Sequence, residues 1–254
     1  MLADDAYRED LAYVHDSGYG DVARDAARML LDELERDGRR GGTVVDLGCG
    51  TGVLASHLGE AGYRVVGFDV SESMLALART RAPKAKFHVG SFVSAALPEC
   101  VAVTAIGEVL NYRFDPANDN RARAGFFRRV HEALLPGGLF LFDVAGPGRA
   151  KPGRHRTFSE GADWAVLVET ELDAPARALT RTITTFRRVG TLYRRDVELH
   201  RLALIDPEEL LESLRGVGFE AGTIPGYGTS PLPPGVVTLL CRKPGVAAAA
   251  GLSE

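Results

Sequence analysis

Val44-Val45-Asp46-Leu47-Gly48-Cys49-Gly50-Thr51-Gly52 decides the fold of this chain. A short apolar run, Thr43–Leu47, passes straight into a turn with glycine at every second position, and a helical pattern follows over about Val53–Gly62. Glycine takes backbone angles closed to other residues, so such a turn can bend sharply and let a ligand approach the main chain. The helix behind it offers unpaired N–H groups. Asp46 places a carboxylate inside the motif, two residues before the first glycine, where it suits a cationic amine.

Three ligand classes use turns of this kind. A dinucleotide turn needs G-x-G-x-x-G, and Val53 stands where the third glycine belongs. A phosphate-cradling loop needs a lysine after its last glycine, and none follows Gly52. A nucleoside without a pyrophosphate fits the remaining features. Asp69 closes a second strand, Arg64–Phe68, 21 residues after Gly48, where an acid can accept both hydroxyls of a ribose. Its rival job, capping the helix over Ser71–Thr80, suits Ser71 better.

Outward from this centre, Ala85–Val89, Val101–Ile106 and Leu139–Val144 read as further strands. An amphipathic helix over about Asn120–Leu135 is stopped by Pro136-Gly137-Gly138. Short strands apolar on both faces and separated by helices predict a parallel sheet covered on both sides. Three longer, partly alternating segments at 164–173, 178–189 and 191–201 predict an antiparallel meander inserted into that order. Pro207–Leu214 reads as a helix and Val236–Cys241 as a strand. The implied organisation is a helical lid at 1–40, an α/β core at 41–150, the β insertion over the substrate mouth at 151–203, completion of the core at 204–246 and a flexible tail at 247–254.

Composition narrows the function. The chain has 254 residues, with 30 Lys+Arg against 34 Asp+Glu, a formal net charge of -4. That argues against a broad nucleic-acid-binding surface. Three scattered cysteines form no C-x-x-C, which excludes a disulfide framework and a zinc-thiolate site and suits a reducing, cytoplasmic setting. No histidine pair has metal-ligand spacing, so no metal is expected. No apolar run is long enough to span a membrane, and the start MLADDAYRED is too polar for a signal peptide.

Taken together, Asp46–Gly52, Val65–Met74 and Leu134–Gly138 resemble the first motif, the ribose-binding second strand and the helix-to-strand turn of the class I S-adenosylmethionine-dependent methyltransferases. The run Ala105-Ile106-Gly107-Glu108 and the segment Val14–Gly20 are similar to those of bacterial members of that family. The resemblance implies a Rossmann-like, seven-stranded, mostly parallel sheet in the order 3-2-1-4-5-7-6. It also implies S-adenosylmethionine as cofactor, leaving as S-adenosylhomocysteine. By position, Gly48, Cys49 and Gly50 would contact the methionine part, with Asp46 beside it, and Asp69 and Val70 the ribose. Met74, Ser91 and Phe92 would border the adenine, and Tyr19 and Ile106 would close the crevice. Ser91 stands where many members carry an acid.

The acceptor side is expected at Glu108, Asn111 and Tyr112 after the fourth strand, with His200 on the meander and His15 in the lid. Glu108 reads as a substrate-side acid or as an anchor for the lid. His200 reads as a base or substrate contact oriented by Glu198, against a surface cross-strand pair. His15 reads as a lid or catalytic contact, against a packing histidine. The Arg-rich meander is expected to pair its charges across strands on a solvated face, against an anionic substrate or a partner chain. No Asn/Asp-Pro-Pro-aromatic tetrad follows the fourth strand, which favours a small-molecule acceptor over a protein, RNA or base amine, in a monomer or homodimer. An NAD(P)-dependent oxidoreductase and a non-catalytic cofactor-binding protein are the rival classes.

Overall fold

The computed structural model describes residues 6–228 and 231–245. The expected tail at 247–254 lies outside them. Two sheets organise the chain. The first has seven strands: β1 (Thr43–Leu47), β2 (Arg64–Asp69), β3 (Lys86–Val89), β4 (Cys100–Ala105), β5 (Leu134–Ala145) and two late strands, Glu220–Ile224 and Val236–Arg242. The second has four: β6 (Gly153–Glu160), β7 (Trp164–Asp173), β8 (Ala178–Val189) and β9 (Leu192–Ala203). The late strands of the first sheet are therefore β10 and β11. Their order across that sheet is β3-β2-β1-β4-β5-β11-β10, with β11 antiparallel to β5, which is the expected 3-2-1-4-5-7-6 arrangement.

Both faces at the centre of this sheet are dry because β1, β4 and the second half of β5 are apolar on both sides. On β5, Phe140 and Phe142 pack with Phe126, Phe127 and Val130 of α5 (Asn120–Ala133) and with Leu210 and Leu214 of α6 (Pro207–Val217). Leu139 and Leu141 turn to the opposite face, among Leu30 and Leu34 of α2 (Asp21–Arg36) and Leu54 and Leu58 of α3 (Val53–Glu60). Each such side chain contributes about 1.5–3 kcal/mol on burial. The helix α4 (Glu72–Arg81) begins on Ser71, whose Oγ accepts from Met74 N at 3.1 Å, as the capping argument expects. The expected stop at Pro136-Gly137-Gly138 falls differently. α5 ends at Ala133, and the proline and glycines belong to β5, whose pairing with β4 shifts register between Cys100 and Ala102.

The inserted meander has four strands where three were expected. β6 pairs antiparallel with β7 along its whole length, Gly153 to Glu160. It escapes the alternation test because its only large apolar side chain, Phe158, faces solvent. The insertion reaches the core through Ala145, Leu179, Leu202 and Leu204. It reaches α1 (Glu9–Gly18) through Leu11, Val14, Trp164, Val166 and Ile183.

Candidate active site

The carboxyl ends of β1, β2 and β4, the helix α1 and the inner face of the second sheet enclose a cavity of about 590 Å³. That lies within the usual range for small-molecule sites. A smaller adjoining cavity, lined by Asp46, Gly48, Cys49, Gly50 and Thr51, continues it under the glycine turn.

The floor is built by short-range contacts. Gly50 has a left-handed φ of 52°, and a Cβ on it would stand in open space, so the turn presents bare backbone. Gly52 answers a different need: a Cβ there would come within 3.0 Å of Ala78 on α4. Asp69 lines the cavity and takes one backbone N–H on each oxygen, Gly50 N at 2.8 Å and Ser71 N at 2.9 Å. A carboxylate offers about four acceptor sites, so both oxygens retain capacity for a ligand's hydroxyls. Burial pushes its carboxyl up, against the pull of those N–H groups. Asp46 is 2 % exposed; its Oδ1 accepts from Thr104 Oγ1 at 2.7 Å and its Oδ2 has no partner. Burial raises that carboxyl to about 7. A buried oxygen left unpaired is costly unless a donor fills it. Val70, Met74, Ser91, Phe92 and Ile106 complete the floor.

After β4 the chain makes a strained turn. Gly107 and Glu108 both have left-handed backbones, with φ of 94° and 62°. For glutamate that conformation persists only when its surroundings enforce it. Asp143, near the carboxyl end of β5, does so. Its Oδ2 accepts from Gly107 N at 2.8 Å and its Oδ1 from Glu108 N at 2.5 Å. The hydroxyl of buried Tyr227 donates to the same Oδ2 at 2.8 Å. Burial still lifts Asp143 to about 6.

The roof is fastened by long-range contacts. Glu198 of β9 accepts from the backbone N–H of Tyr7 at 2.7 Å and of Arg8 at 2.8 Å. Asp10 of α1 binds Arg194 Nε at 2.5 Å and Arg187 Nη1 at 3.3 Å. Tyr13 donates to Asp163 at 2.7 Å. Ser71 Oγ donates to Tyr7 O at 2.8 Å, and Arg81 joins Asp16 to Thr51. The segment before α2 is thus tied to both sheets.

Several expected site residues meet at the cavity: Gly48, Gly50, Asp69, Val70, Met74, Ser91, Phe92, Ile106, Glu108, Tyr112, His15 and Tyr19 all line it. Cys49 lines only the smaller cavity, its Sγ lying where a Cβ on Gly67 would go. Three expectations need correction. His200 is fully buried and does not line the cavity. Its Nε2 pairs with Glu198 Oε2 at 2.9 Å, and the rings of Tyr7, Tyr112 and Phe114 surround it. Glu198 does orient the imidazole, but within this aromatic packing and not toward the cavity lining. Asn111 is also fully buried. Its amide donates to Ala145 O at 2.9 Å and Ala203 O at 2.6 Å and accepts from Ala145 N at 2.9 Å, which stitches β5 to β9. Glu108 is ion-paired with Arg149 and, at 2.7 Å, with Arg181. Although burial opposes it, the two guanidinium groups hold its carboxyl below the usual range, so it is a fixed anion and not an acid. The lid anchor is Glu198.

His15 lies in the lid, edge-on to Tyr7 and stacked on Tyr19, and burial lowers it to about 4. Cross-strand charge pairing occurs on the unexpected β6, where Arg154 and Arg156 pair with Glu169. Among the arginines of the three expected segments the expectation fails for Arg187 and Arg194, which bind α1, and for Arg181, which enters the cavity. Residues not singled out by sequence are Tyr7, Phe114, Asp143, Arg149 and Thr170. Only Asp143 left a trace there, as a lone charge in the apolar run Leu139–Val144.

Residues 44–138 match the family model for a methyltransferase domain. Magnesium-protoporphyrin O-methyltransferase of Rhodobacter capsulatus is 29% identical over 143 residues, 53% of this chain and 63% of that protein. Trans-aconitate 2-methyltransferase of Variovorax paradoxus is 29% identical over 208 residues, 76% of this chain and 72% of that protein. The first curated relatives are spanned over only 56% and 63% of their length. A solved S-adenosylmethionine-dependent methyltransferase from Clostridium acetobutylicum shares the fold, with a TM-score of 0.78 at 18% identity over 92% of this chain and 98% of that one.

Proposed function

We propose that the chain, whose residues 44–138 match the methyltransferase-domain model on a sheet of the expected order, is a class I S-adenosylmethionine-dependent methyltransferase that transfers a methyl group to a small-molecule acceptor held between floor and roof. The observation that carries this is the pairing of Asp69 with the orphaned Oδ2 of Asp46 along one open crevice. Asp69 would accept the ribose hydroxyls. Asp46 would receive the ammonium of the methionine part, and the backbone of Gly48, Cys49 and Gly50 would run beside it. Met74 and Phe92 supply an apolar slot for the adenine, with Ser91 and Val70 at its edge and Ile106 beneath. Tyr19 and His15 cover it.

When bound, the cofactor supplies an electrophilic methyl group on a sulfonium. The protein's part is alignment and exclusion of water, because positive charge is lost and not created in the transfer. The anchored segment of α1 and the meander roof serve that purpose. Neither Glu108, fixed between two arginines, nor His15, neutral with a pKa near 4, is matched to remove a proton near pH 7. Asp143, raised to about 6, is already occupied by two backbone N–H groups and the Tyr227 hydroxyl, so the site suits an acceptor that arrives with an available lone pair. A covered cavity favours a small molecule over a polymer. Among the described residues no helix is long and apolar enough to cross a membrane.

Calorimetric titration with S-adenosylhomocysteine and, separately, with NADH tests the reading. Saturable binding of the first and none of the second is expected. Saturable NADH binding with no response to S-adenosylhomocysteine would overturn it.

A further inference from the structure

The polar groups on the acceptor side fall into two sets, spent and unspent. The two buried carboxylates are spent. Glu108 is bracketed by Arg149 and Arg181. Asp143 is occupied by two backbone N–H groups and the Tyr227 hydroxyl. Asp115, only half-buried at the cavity wall, accepts from Ala117 N at 2.8 Å on Oδ1.

The unspent groups are donors. Arg181 projects from β8 into the cavity with its side chain only 12% exposed. Its Nη2 lies 2.7 Å from Glu108 Oε2 but off the direction of a hydrogen bond, so this buried donor has no hydrogen-bond partner. Its Nη1 reaches only Tyr112 Oη, at 3.3 Å. Arg149, facing it, engages Glu108 through Nε. Tyr7 and Tyr112 share one contact between their hydroxyls at 3.0 Å, which uses only one of their two protons. Beside these donors stands an apolar wall. Tyr112 and Phe114 stack at 4.8 Å, and Val166, Val168 and Ile183 line the roof.

We propose that the methyl acceptor carries a carboxylate on an aromatic or branched apolar body, and that Arg181 and Arg149 hold that carboxylate. This rests on the methyltransferase reading and adds the acceptor's class to it. A carboxylate matches the planar fork of a guanidinium, and such bonds are the strong ones among side-chain contacts. A cationic acceptor finds no unspent carboxylate deep in the cavity. A neutral amide leaves the buried guanidinium with the weaker partner.

The test uses the full chain saturated with S-adenosylhomocysteine. The probes are benzoate, phenylacetate and 3-phenylpropionate, each against its primary amide, titrated by calorimetry. At least one carboxylate is expected to bind ~10-fold or more tightly than its amide, as suits a charged hydrogen bond. Arg181→Gln and, separately, Arg149→Gln should each reduce that preference, while affinity for S-adenosylhomocysteine and the melting temperature report whether the fold survives. Equal binding of acids and amides, no binding of any acid at millimolar concentration, or a preference that survives both substitutions overturns the inference. Failure of S-adenosylhomocysteine itself to bind would instead sink the methyltransferase reading.

Discussion

The floor and the roof of the cavity are held in opposite ways. On the floor, Asp69 grips Gly50 and Ser71, 19 and 2 residues away, and Ser71 caps Met74 three residues on. On the roof, Glu198 grips Tyr7 and Arg8 across 191 and 190 residues, and Arg194 reaches Asp10 across 184. Local turns assemble the floor almost independently of the rest of the chain. The roof exists only once the whole chain has closed.

Removing the central roof contact should produce the largest effect. Glu198→Ala strips acceptors from two backbone N–H groups and from His200 at a site only 3 % exposed. Each unsatisfied buried group costs about 1–3 kcal/mol, so a loss near ~3 kcal/mol is expected. It should appear as a lower melting temperature and as proteolysis of the segment before α2. If affinity for S-adenosylhomocysteine falls as far as in a floor variant, floor and roof are not independent and the comparison breaks.

Asp69→Ala is the matching cut in the floor. Losing charge-assisted bonds to two ribose hydroxyls should weaken S-adenosylhomocysteine binding by ~10–100-fold, about 1.4–2.7 kcal/mol. The melting temperature should drop less than in Glu198→Ala, because water at the cavity edge can serve Gly50 N and Ser71 N. Unchanged affinity by calorimetry would remove Asp69 from the ribose role.

The same division explains what could be read beforehand. The bounds of β1 and the Ser71 cap follow from residues within a few positions of one another, and both are as expected; the strand order, also as expected, comes only from the family resemblance that those local motifs carry. His200 shows the opposite case. Alternation correctly puts it on one face with Glu198, and Ile183 and Arg181 register opposite them. Yet nothing within β9 says that Tyr7 and Phe114 will bury that ring. Asn111 reads as a polar residue at a site edge because the carbonyls it serves, Ala145 and Ala203, lie 34 and 92 residues away. Arg181 looks like one more surface arginine until the register brings it over Glu108.

Ser71 belongs to both regions and so sharpens the comparison at smaller cost. Its hydroxyl caps α4 and also donates to Tyr7 O. Ser71→Ala should cost about 1 kcal/mol for the cap and loosen the lid. The expected reading is a modest fall in melting temperature with faster amide exchange in α1. A stability loss with no change in α1 exchange would show that Ser71 serves the floor alone.

The smallest effect is a proton. Burial holds Asp46 near pKa 7 in the free crevice, from an ordinary value of 3.8. A folded-state pKa above the unfolded one means the folded chain binds the extra proton, so the stability linked to Asp46 is present below about pH 4 and is lost as pH rises toward 7. An ammonium placed against its unpaired Oδ2 must lower that pKa again. Binding of S-adenosylhomocysteine at pH 7 should therefore release a fraction of one proton, seen as a binding enthalpy that varies with the ionisation enthalpy of the buffer, and affinity should rise from pH 6 to pH 7. Asp46→Asn should abolish the buffer dependence and gain stability at alkaline pH. A wild-type enthalpy that is the same in every buffer would mean that the orphaned oxygen does not meet the ammonium, and the smaller cavity would then need another occupant.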